Sequence, residues 1–233
     1  MTVLPASTSC DFCLNRSHFL FRHLSDTEIR NISFSKITET FKRGSIVYHE
    51  GQRMKGFYCL QSGIIKIYKT GFDGKEQIVR FAQSGDIIGY RSVISNEPAC
   101  TTTEVLKEAV LCLVPTELLF ELIKTNGNFA LELMKLTCKE LGEANSYLTD
   151  IAQKTVKERL AEVLMHLYNE FGFDQEGSLA IALTREELSN VVGTATESII
   201  RLLSEFKNEG FIELKGRKIK ILDKPGLMKI ANI

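Results

Sequence analysis

No stretch of this 233-residue chain approaches the roughly 18 consecutive apolar residues of a membrane span, and no basic start followed by an apolar run opens it. Neither a membrane segment nor a secretory leader is expected, so the chain reads as cytoplasmic with no membrane partner. An excess of charge is missing too, because 29 basic side chains stand against 29 acidic ones. That balance excludes a polycationic binder, although a local patch is still allowed. Histidines number only four (His18, His23, His49 and His166), and none has metal-site spacing. No cysteine sits in a nucleophile motif with an assignable base. His49 and Glu50 beside Gly51 are the one candidate acid–base pair, and such strand-end pairs are more often structural. An enzyme is therefore not expected. A disulfide scaffold is absent as well: Cys59, Cys100, Cys112 and Cys138 are scattered through apolar or helical surroundings, where a free thiol packs as a small hydrophobe. Cys10 and Cys13 differ, forming a two-residue-spaced pair in a polar N-terminal stretch where packing gives no reason for them.

What is present is a globular profile, 44% apolar and 25% charged, in a length that suits two modest domains. Residues 1–20 read as an irregular arm carrying the cysteine pair. Ser25 and Asp26 ahead of Glu28 predict a short capped helix over about 26–34. From Ile37 to Val114 the runs Ser45–Tyr48, Gly56–Leu60, Ile64–Tyr68 and Gln77–Phe81 are rich in β-formers, and glycines at 44, 51, 63, 71, 74, 85 and 89 divide them. Ile65 and Ile67 alternate with Lys66 and Tyr68, which predicts a sheet with one wet face. Gly71 to Lys75 is the strongest hairpin turn. Many short strands at regular intervals point to a small barrel or roll spanning 21–125, closed by a short helical run after Pro115.

The next segment, 126–155, predicts one long helix. Met134, Leu141, Leu148 and Thr155 recur every seven residues, with Thr137, Ala144 and Ile151 at the other heptad spacing. Such a seam either packs on its own domain or lies against a second copy, where the small residues Thr137 and Ala144 let backbones approach.

Residues 156–233 then form a second domain. A helix through Leu160, Leu164 and Leu167 is followed by a loop and a brief strand candidate at Leu179–Ala182. Thr184 with Glu187 spells a capping box, Gly193 breaks the helix, and Thr194 with Glu197 repeats the cap for a helix whose inward face is Ile199, Leu202, Leu203 and Phe206. Two capped helices around a glycine turn have helix-turn-helix spacing, although plain bundle corners share it. A hairpin around Lys215, Gly216 and Arg217 follows, and Lys207–Lys229 holds seven basic against three acidic residues. Positive charge concentrated in this way suits phosphate contact, though a basic hairpin tip can equally be a solvated turn.

On these residues the chain resembles the Crp/Fnr superfamily of bacterial transcription regulators. FKRGSIVYHEG at 41–51, Gly63 and GDIIG at 85–89 resemble its cyclic-nucleotide-binding-like β-roll. Leu183 to Lys220, including VGTATESIIRLL at 192–203 and GFIELKGRKIKI at 210–221, resembles the winged helix-turn-helix of the Fnr branch. The resemblance implies an α+β chain made of a β-roll of double-stranded jelly-roll type, a long dimerisation helix and a C-terminal winged helix-turn-helix. It also implies a homodimer on palindromic double-stranded DNA, with RNA polymerase as a further partner. The base-reading positions of the family fall on Thr196, Glu197 and Arg201, with Ser198 as a backbone contact and Thr194 beside it. Glu197 can accept from a cytosine amino group and Arg201 can donate twice to guanine. Without the resemblance the same two residues are an ordinary i,i+4 ion pair. Ile200 stands where the Fnr branch usually has a serine, so the family half-site does not carry over. Lys218 on the wing is a phosphate-contact candidate.

The phosphate cassette of cyclic-AMP-binding members would fall on Gly89, Tyr90 and Arg91, then Ala99, Cys100 and Thr101. Its glutamate and arginine are replaced here by Tyr90 and Ala99, which removes the charged clamp on a cyclic phosphate. Cyclic AMP is not the expected effector, whereas another small molecule could occupy the roll. The iron–sulfur branch suggests Cys10, Cys13 and Cys112 as metal ligands, but its third N-terminal cysteine is Phe19 here, leaving His18 as the substitute. No cofactor is assigned on this ground. The cysteine pair could instead be a redox dithiol or have no role. A protein-interaction module is the remaining alternative to a DNA-binding regulator.

Overall fold

Alternation of β-formers governs residues 37–115, and the computed structural model, which describes residues 9, 10, 13 and 18–233, folds this stretch into a six-stranded sheet. The arm expected over 1–20 falls outside the described residues except at Ser9, Cys10, Cys13 and His18–Leu20. The chain divides into two compact units: residues up to 74 with 78–142, and residues 75–77 with 143–233.

The first unit begins with α1 (Asp26–Ser35), whose Ser25 and Glu28 form the expected capping box. The strands are β1 (Ile37–Phe41), β2 (Ile46–Tyr48), β3 (Gly56–Thr70), β4 (Glu76–Gln83), β5 (Ile87–Ile88) and β6 (Thr102–Pro115). The sheet order is β1-β6-β3-β4, with β2 also on β6 and β5 on β3. The pairing of β3 with β6 is antiparallel from Gly56 opposite Pro115 to Tyr68 opposite Thr102. Its interior holds Leu60, Ile65, Ile67, Val105 and Leu111, all nearly inaccessible. A second cluster, from Leu20, Ile29, Ile32, Phe57, Leu119 and Phe129, packs the helices onto the sheet. A short helix, α2 (Tyr90–Ser95), begins after the left-handed Gly89, and α3 (Thr116–Thr125) follows the last strand.

Two expectations change here. Gly63 does not separate two strands. The strand runs through it with register shifts on either side, because Gly63 adopts φ +104° and lies so close to β6 that a Cβ would sit 2.5 Å from Ala109 Cα. The break in pattern is a bulge that only glycine fits. Nor is the face opposite Ile65 and Ile67 wet: Lys66 is 5% and Tyr68 8% exposed. The Lys66 ammonium meets Glu104 at 3.0 Å and lies 4.7 Å from the Tyr68 ring centre, so its charge is compensated and its stem covers apolar surface.

The long helix is α4 (Gly127–Gln153). It ends before Thr155, which was expected to continue the heptad. Thr155 instead caps α5 (Val156–Phe171), exchanging hydrogen bonds with Glu158. The apolar pattern crosses this junction because the exposed apolar line of α4 is followed at similar spacing by the buried stripe of α5, but a capping box sets a helix start and not a seam position. The second unit continues with α6 (Arg185–Val192), α7 (Thr196–Asn208), the hairpin β7 (Ile212–Lys215) and β8 (Lys218–Ile221), and α8 (Lys224–Ala231), capped by Asp223. Leu160, Leu164, Leu188, Ile199, Leu203, Phe206 and Leu227 form its interior. The strand candidate at Leu179–Ala182 reduces to a single bridge between Leu179 and Phe173.

Gly63→Ala is expected to destabilise the first unit by about 2–4 kcal/mol, through strained φ and collision with β6. Denaturant unfolding of the variant checks this.

Candidate functional site

The helix-turn-helix is built from α6, its turn and α7. Thr184 Oγ1 accepts from Glu187 N–H at 3.0 Å while Glu187 Oε2 accepts from Thr184 N–H at 2.6 Å, which gives α6 the start its sequence announces. Gly193 then adopts left-handed φ +71°, and a Cβ there would lie 2.9 Å from Ile151 Cδ1. The turn therefore requires glycine for its backbone conformation, whereas the end of the Ile151 side chain can shift. The second cap does not form as expected. Ala195 occupies the N-cap of α7 and no side chain caps it. Thr194 is held by its N–H, donating to Ser189 O at 3.2 Å, and Thr196 Oγ1 lies 3.0 Å from the buried Ser189 Oγ. A seryl–threonyl contact across the turn thus replaces the capping box.

Arg159, on α5, fixes the same turn from behind. Its Nε donates to Val192 O at 3.0 Å, Nη2 to Gly193 O at 3.2 Å and Nη1 to Lys154 O at 2.8 Å. One guanidinium thereby satisfies carbonyls at the end of α6, in the turn and at the α4–α5 junction. Burying Ile199, Leu202, Leu203 and Phe206 leaves Glu197, Ile200 and Arg201 exposed together on the first turns of α7, with Ile200 49% exposed and Ser198 half-buried. This is a ridge that offers an acceptor, a methyl-bearing surface and a bidentate donor in sequence.

On the wing, Arg217 is exposed and has no ion pair among the described residues. Lys218 is committed elsewhere: its Nζ donates to Asp174 Oδ2 at 2.8 Å and lies 3.4 Å from Glu176 Oε2. The hydrogen bond to Asp174 holds the Lys218 ammonium above its ordinary pKa. Arg185 donates to Gly216 O at 3.0 Å, tying the hairpin tip to α6.

Along α4, Met134, Leu141 and Leu148 are 57%, 62% and 66% exposed, and Thr137 and Ala144, both exposed, lie beside them. A run of large apolar side chains spanning about 20 Å of helix is the kind of surface that a partner covers. Ile151, assigned to the same line, is 39% exposed and also supports Gly193.

In the roll, Gly89 is left-handed, Tyr90 and Ala99 are buried, Thr101 is 6% exposed and Cys100 is exposed. Burial pushes the Tyr90 hydroxyl up to about 12. Arg91 does not stand ready for a phosphate, because its Nε lies 3.5 Å from Glu140 Oε2. Arg80 pairs with the same carboxylate and donates to Ile87 O at 3.3 Å. Glu140, 9% exposed on α4, thus supplies the anion for both guanidiniums.

The cysteines are more closely gathered than their sequence positions suggest. Cys10, Cys13 and Cys112 line one cavity together with Cys59 and Lys36, with about 470 Å³ of non-atom space, open solvent included. Cys59 and Cys112 face each other across β3 and β6, and Thr38 Oγ1 lies 3.5 Å from Cys112 Sγ. The arm is pinned to α1 where Cys10 N–H donates to Ser33 Oγ at 3.2 Å. Burial raises the thiol of Cys10, and that of Cys59 by more. His18 is not brought to this cavity. Its ring packs on Phe19 and Phe21, and the acid that bears on it is Asp86.

Residues 38–126 match the cyclic nucleotide-binding domain family, and residues 158–230 match the Crp-like helix-turn-helix domain family. Electron transport regulator A of Shewanella oneidensis is 30% identical over 193 residues, covering 82% of this chain and 76% of that protein. The chain belongs to the Crp/Fnr superfamily. The fumarate and nitrate reduction regulatory protein of Escherichia coli K12 is 28% identical over the same shares of the two chains. In fold, a crp/fnr-family transcriptional regulator from Eubacterium rectale superposes with a TM-score of 0.75 at 23% identity, covering 92% of this chain and 98% of that one. The architecture is α+β, and this Crp/Fnr chain is a transcription regulator with a helix-turn-helix DNA-binding domain, not an enzyme. Among the described residues, no helix is long and apolar enough to cross a membrane.

Three residues of the Crp/Fnr chain escaped the sequence reading: Arg159, Glu140 and Cys59. Each acts through partners distant in sequence, and a charged residue inside an otherwise apolar helical stripe was the only local sign of the first two. Arg159→Ala is expected to destabilise the second unit by about 2–3 kcal/mol and to weaken binding to matched and scrambled duplexes by the same factor, since it positions the turn without reaching bases. Thermal unfolding and fluorescence anisotropy check the two halves of that statement.

Proposed function

We propose that this Crp/Fnr regulator acts as a homodimer on a palindromic DNA site, without cyclic AMP, reading bases through Glu197, Ile200 and Arg201 and acting there with RNA polymerase as partner. The observation that carries the reading is the exposed ridge at the start of α7, held outward by four buried apolar residues and a turn fixed by Arg159. Glu197 accepts from a cytosine amino group, Arg201 donates to guanine O6 and N7, and Ile200 meets a thymine methyl. Thr194, Thr196 and Ser198 position the helix at the backbone. Two copies joined along Met134, Thr137, Leu141, Ala144, Leu148 and Ile151 would place their recognition helices in successive major grooves, about 34–36 Å apart. The absent clamp at Tyr90 and Ala99, and the capture of Arg91 by Glu140, support independence from cyclic AMP.

A second reading, a redox-responsive regulator using Cys10, Cys13 and Cys112, is favoured by one observation: these three thiols share a single cavity. Iron and sulfide content after anaerobic purification tests it.

Arg201→Ala is expected to lose about 1–3 kcal/mol of discrimination at one guanine. Arg217→Ala and Lys218→Ala are expected to weaken all duplexes alike, Lys218→Ala less, because Asp174 and Glu176 already share its charge. An unbiased duplex selection followed by anisotropy titration decides; equal loss on matched and scrambled DNA for Arg201→Ala defeats the base assignment. Calorimetric titration with cyclic AMP is expected to be flat, and micromolar binding is the contrary result.

A further inference from the structure

Four thiols converge on the cavity in the first unit, two from the arm and two from neighbouring strands. Packing accounts for one buried cysteine at a time, since a thiol fills space as a small hydrophobe. It does not account for this arrangement. A single cavity, open to solvent on one side, has all four among the residues that line it. The half-buried Cys10 and Cys13 are also held at that position by a specific hydrogen bond from Cys10 N–H to Ser33, so the arm is docked there.

Soft thiolates select zinc or iron–sulfur centres. Among the described residues, no three His, Cys, Asp or Glu side chains are gathered tightly enough for a single ion, whose sulfurs would lie within about 4 Å of one another at tetrahedral Zn–S distances. Thiolates around a polynuclear cluster stand farther apart, and the donor set of such clusters is four cysteines. The arm supplies only two, with Phe19 where a third would be expected.

We infer that Cys59 is the fourth ligand, and that Cys10, Cys13, Cys59 and Cys112 together hold an iron–sulfur cluster, with the sheet supplying what the arm lacks. The inference rests on the redox reading above and names its ligand set. Loading exchanges four S–H bonds for four S–Fe bonds and releases four protons, with no change in oxidation state required of the protein. Two ligands come from the arm and two from facing positions on β3 and β6, so the bound cluster clips the N-terminal segment to the roll.

The test is anaerobic reconstitution of the full chain with equal parts of ferrous and ferric iron and with sulfide, which assembles the cluster without a further oxidant, followed by metal and sulfide analysis, visible absorption and alkylation mapped by mass spectrometry. Wild type is expected to hold iron and sulfide in equal amounts, with Cys10, Cys13 and Cys59 protected while the exposed Cys100 and Cys138 are alkylated. Cys59→Ser is expected to lose most of its iron and its visible absorption, and His18→Ala to keep both. Iron retained in full by Cys59→Ser, or Cys59 alkylated in the loaded wild type while Cys10 and Cys13 are protected, overturns the assignment of Cys59 and leaves the redox reading standing. A wild type that takes up no iron, or takes up zinc without sulfide, overturns both. If Cys59→Ser fails to fold, Cys59→Ala, which keeps the position small and apolar, decides by the same iron and absorption readings. Anisotropy with duplex DNA on the same samples reports the DNA-binding reading separately.

Discussion

The antiparallel pairing of β3 with β6 is the constraint on which the first unit depends. It is the longest ladder among the described residues, and its register fixes that Cys59 faces Cys112. Because side chains alternate faces with period two, a slip of one residue would turn Ile65 and Ile67 outward and separate Cys59 from Cys112. Gly63 guards against that slip. Its bulge can be accommodated only where β6 presents the small Ala109, which locks the two strands in one alignment. The facing of Cys59 and Cys112 is thus a by-product of register.

In the second unit the corresponding constraint is the conformation of one turn. Gly193 provides the left-handed backbone, Ser189 and Thr196 close it from the front, and Arg159 closes it from behind. Carbonyls at a helix end are costly to leave unpaired, and a guanidinium with its fixed fork is the side chain that can serve three of them at once. The consequence is that the orientation of α7 is set by groups at its own start and on α5 and α6. Preorganisation of this kind lowers the ordering cost of binding and therefore acts on every sequence equally.

Much of this is legible from the chain alone, and the reasons differ by residue. Thr184 with Glu187 and Ser25 with Glu28 are local signals, and each produces the helix start it encodes. Thr155 carries the same kind of signal with Glu158, but the apolar repeat running across it masks the break. Thr194 shows the reverse case, a capping pattern overridden by a tertiary contact to Ser189. Lys66 reads as a wet-face residue because its ammonium is charged, although a partner at Glu104 and the ring of Tyr68 let it lie buried. Cys59 looks like core because its neighbours are apolar. Only the pairing with Cys112, on a strand distant in sequence, reveals its company.

Charge explains how a neutral chain can still address DNA. The basic excess over Lys207–Lys229 overstates the available charge, since Lys218 is bound by Asp174 and approached by Glu176. Among the described residues Arg217 is left as an unshared cation at the wing, and Lys215 has only Glu176 at 3.8 Å. A subunit that neutralises few phosphates gains little sequence-independent affinity, because that term scales with the number of counterions released. On the proposed reading, discrimination falls to the ridge of Glu197, Ile200 and Arg201, where contacts count only on the right bases. With so little electrostatic attachment per chain, one subunit alone would bind weakly, and joining two raises the effective concentration of the second half at its site. On that reading, the exposed apolar line on α4 and the partly engaged charge of the wing fit one arrangement, in which two copies joined along α4 supply together the attachment that each has less of alone.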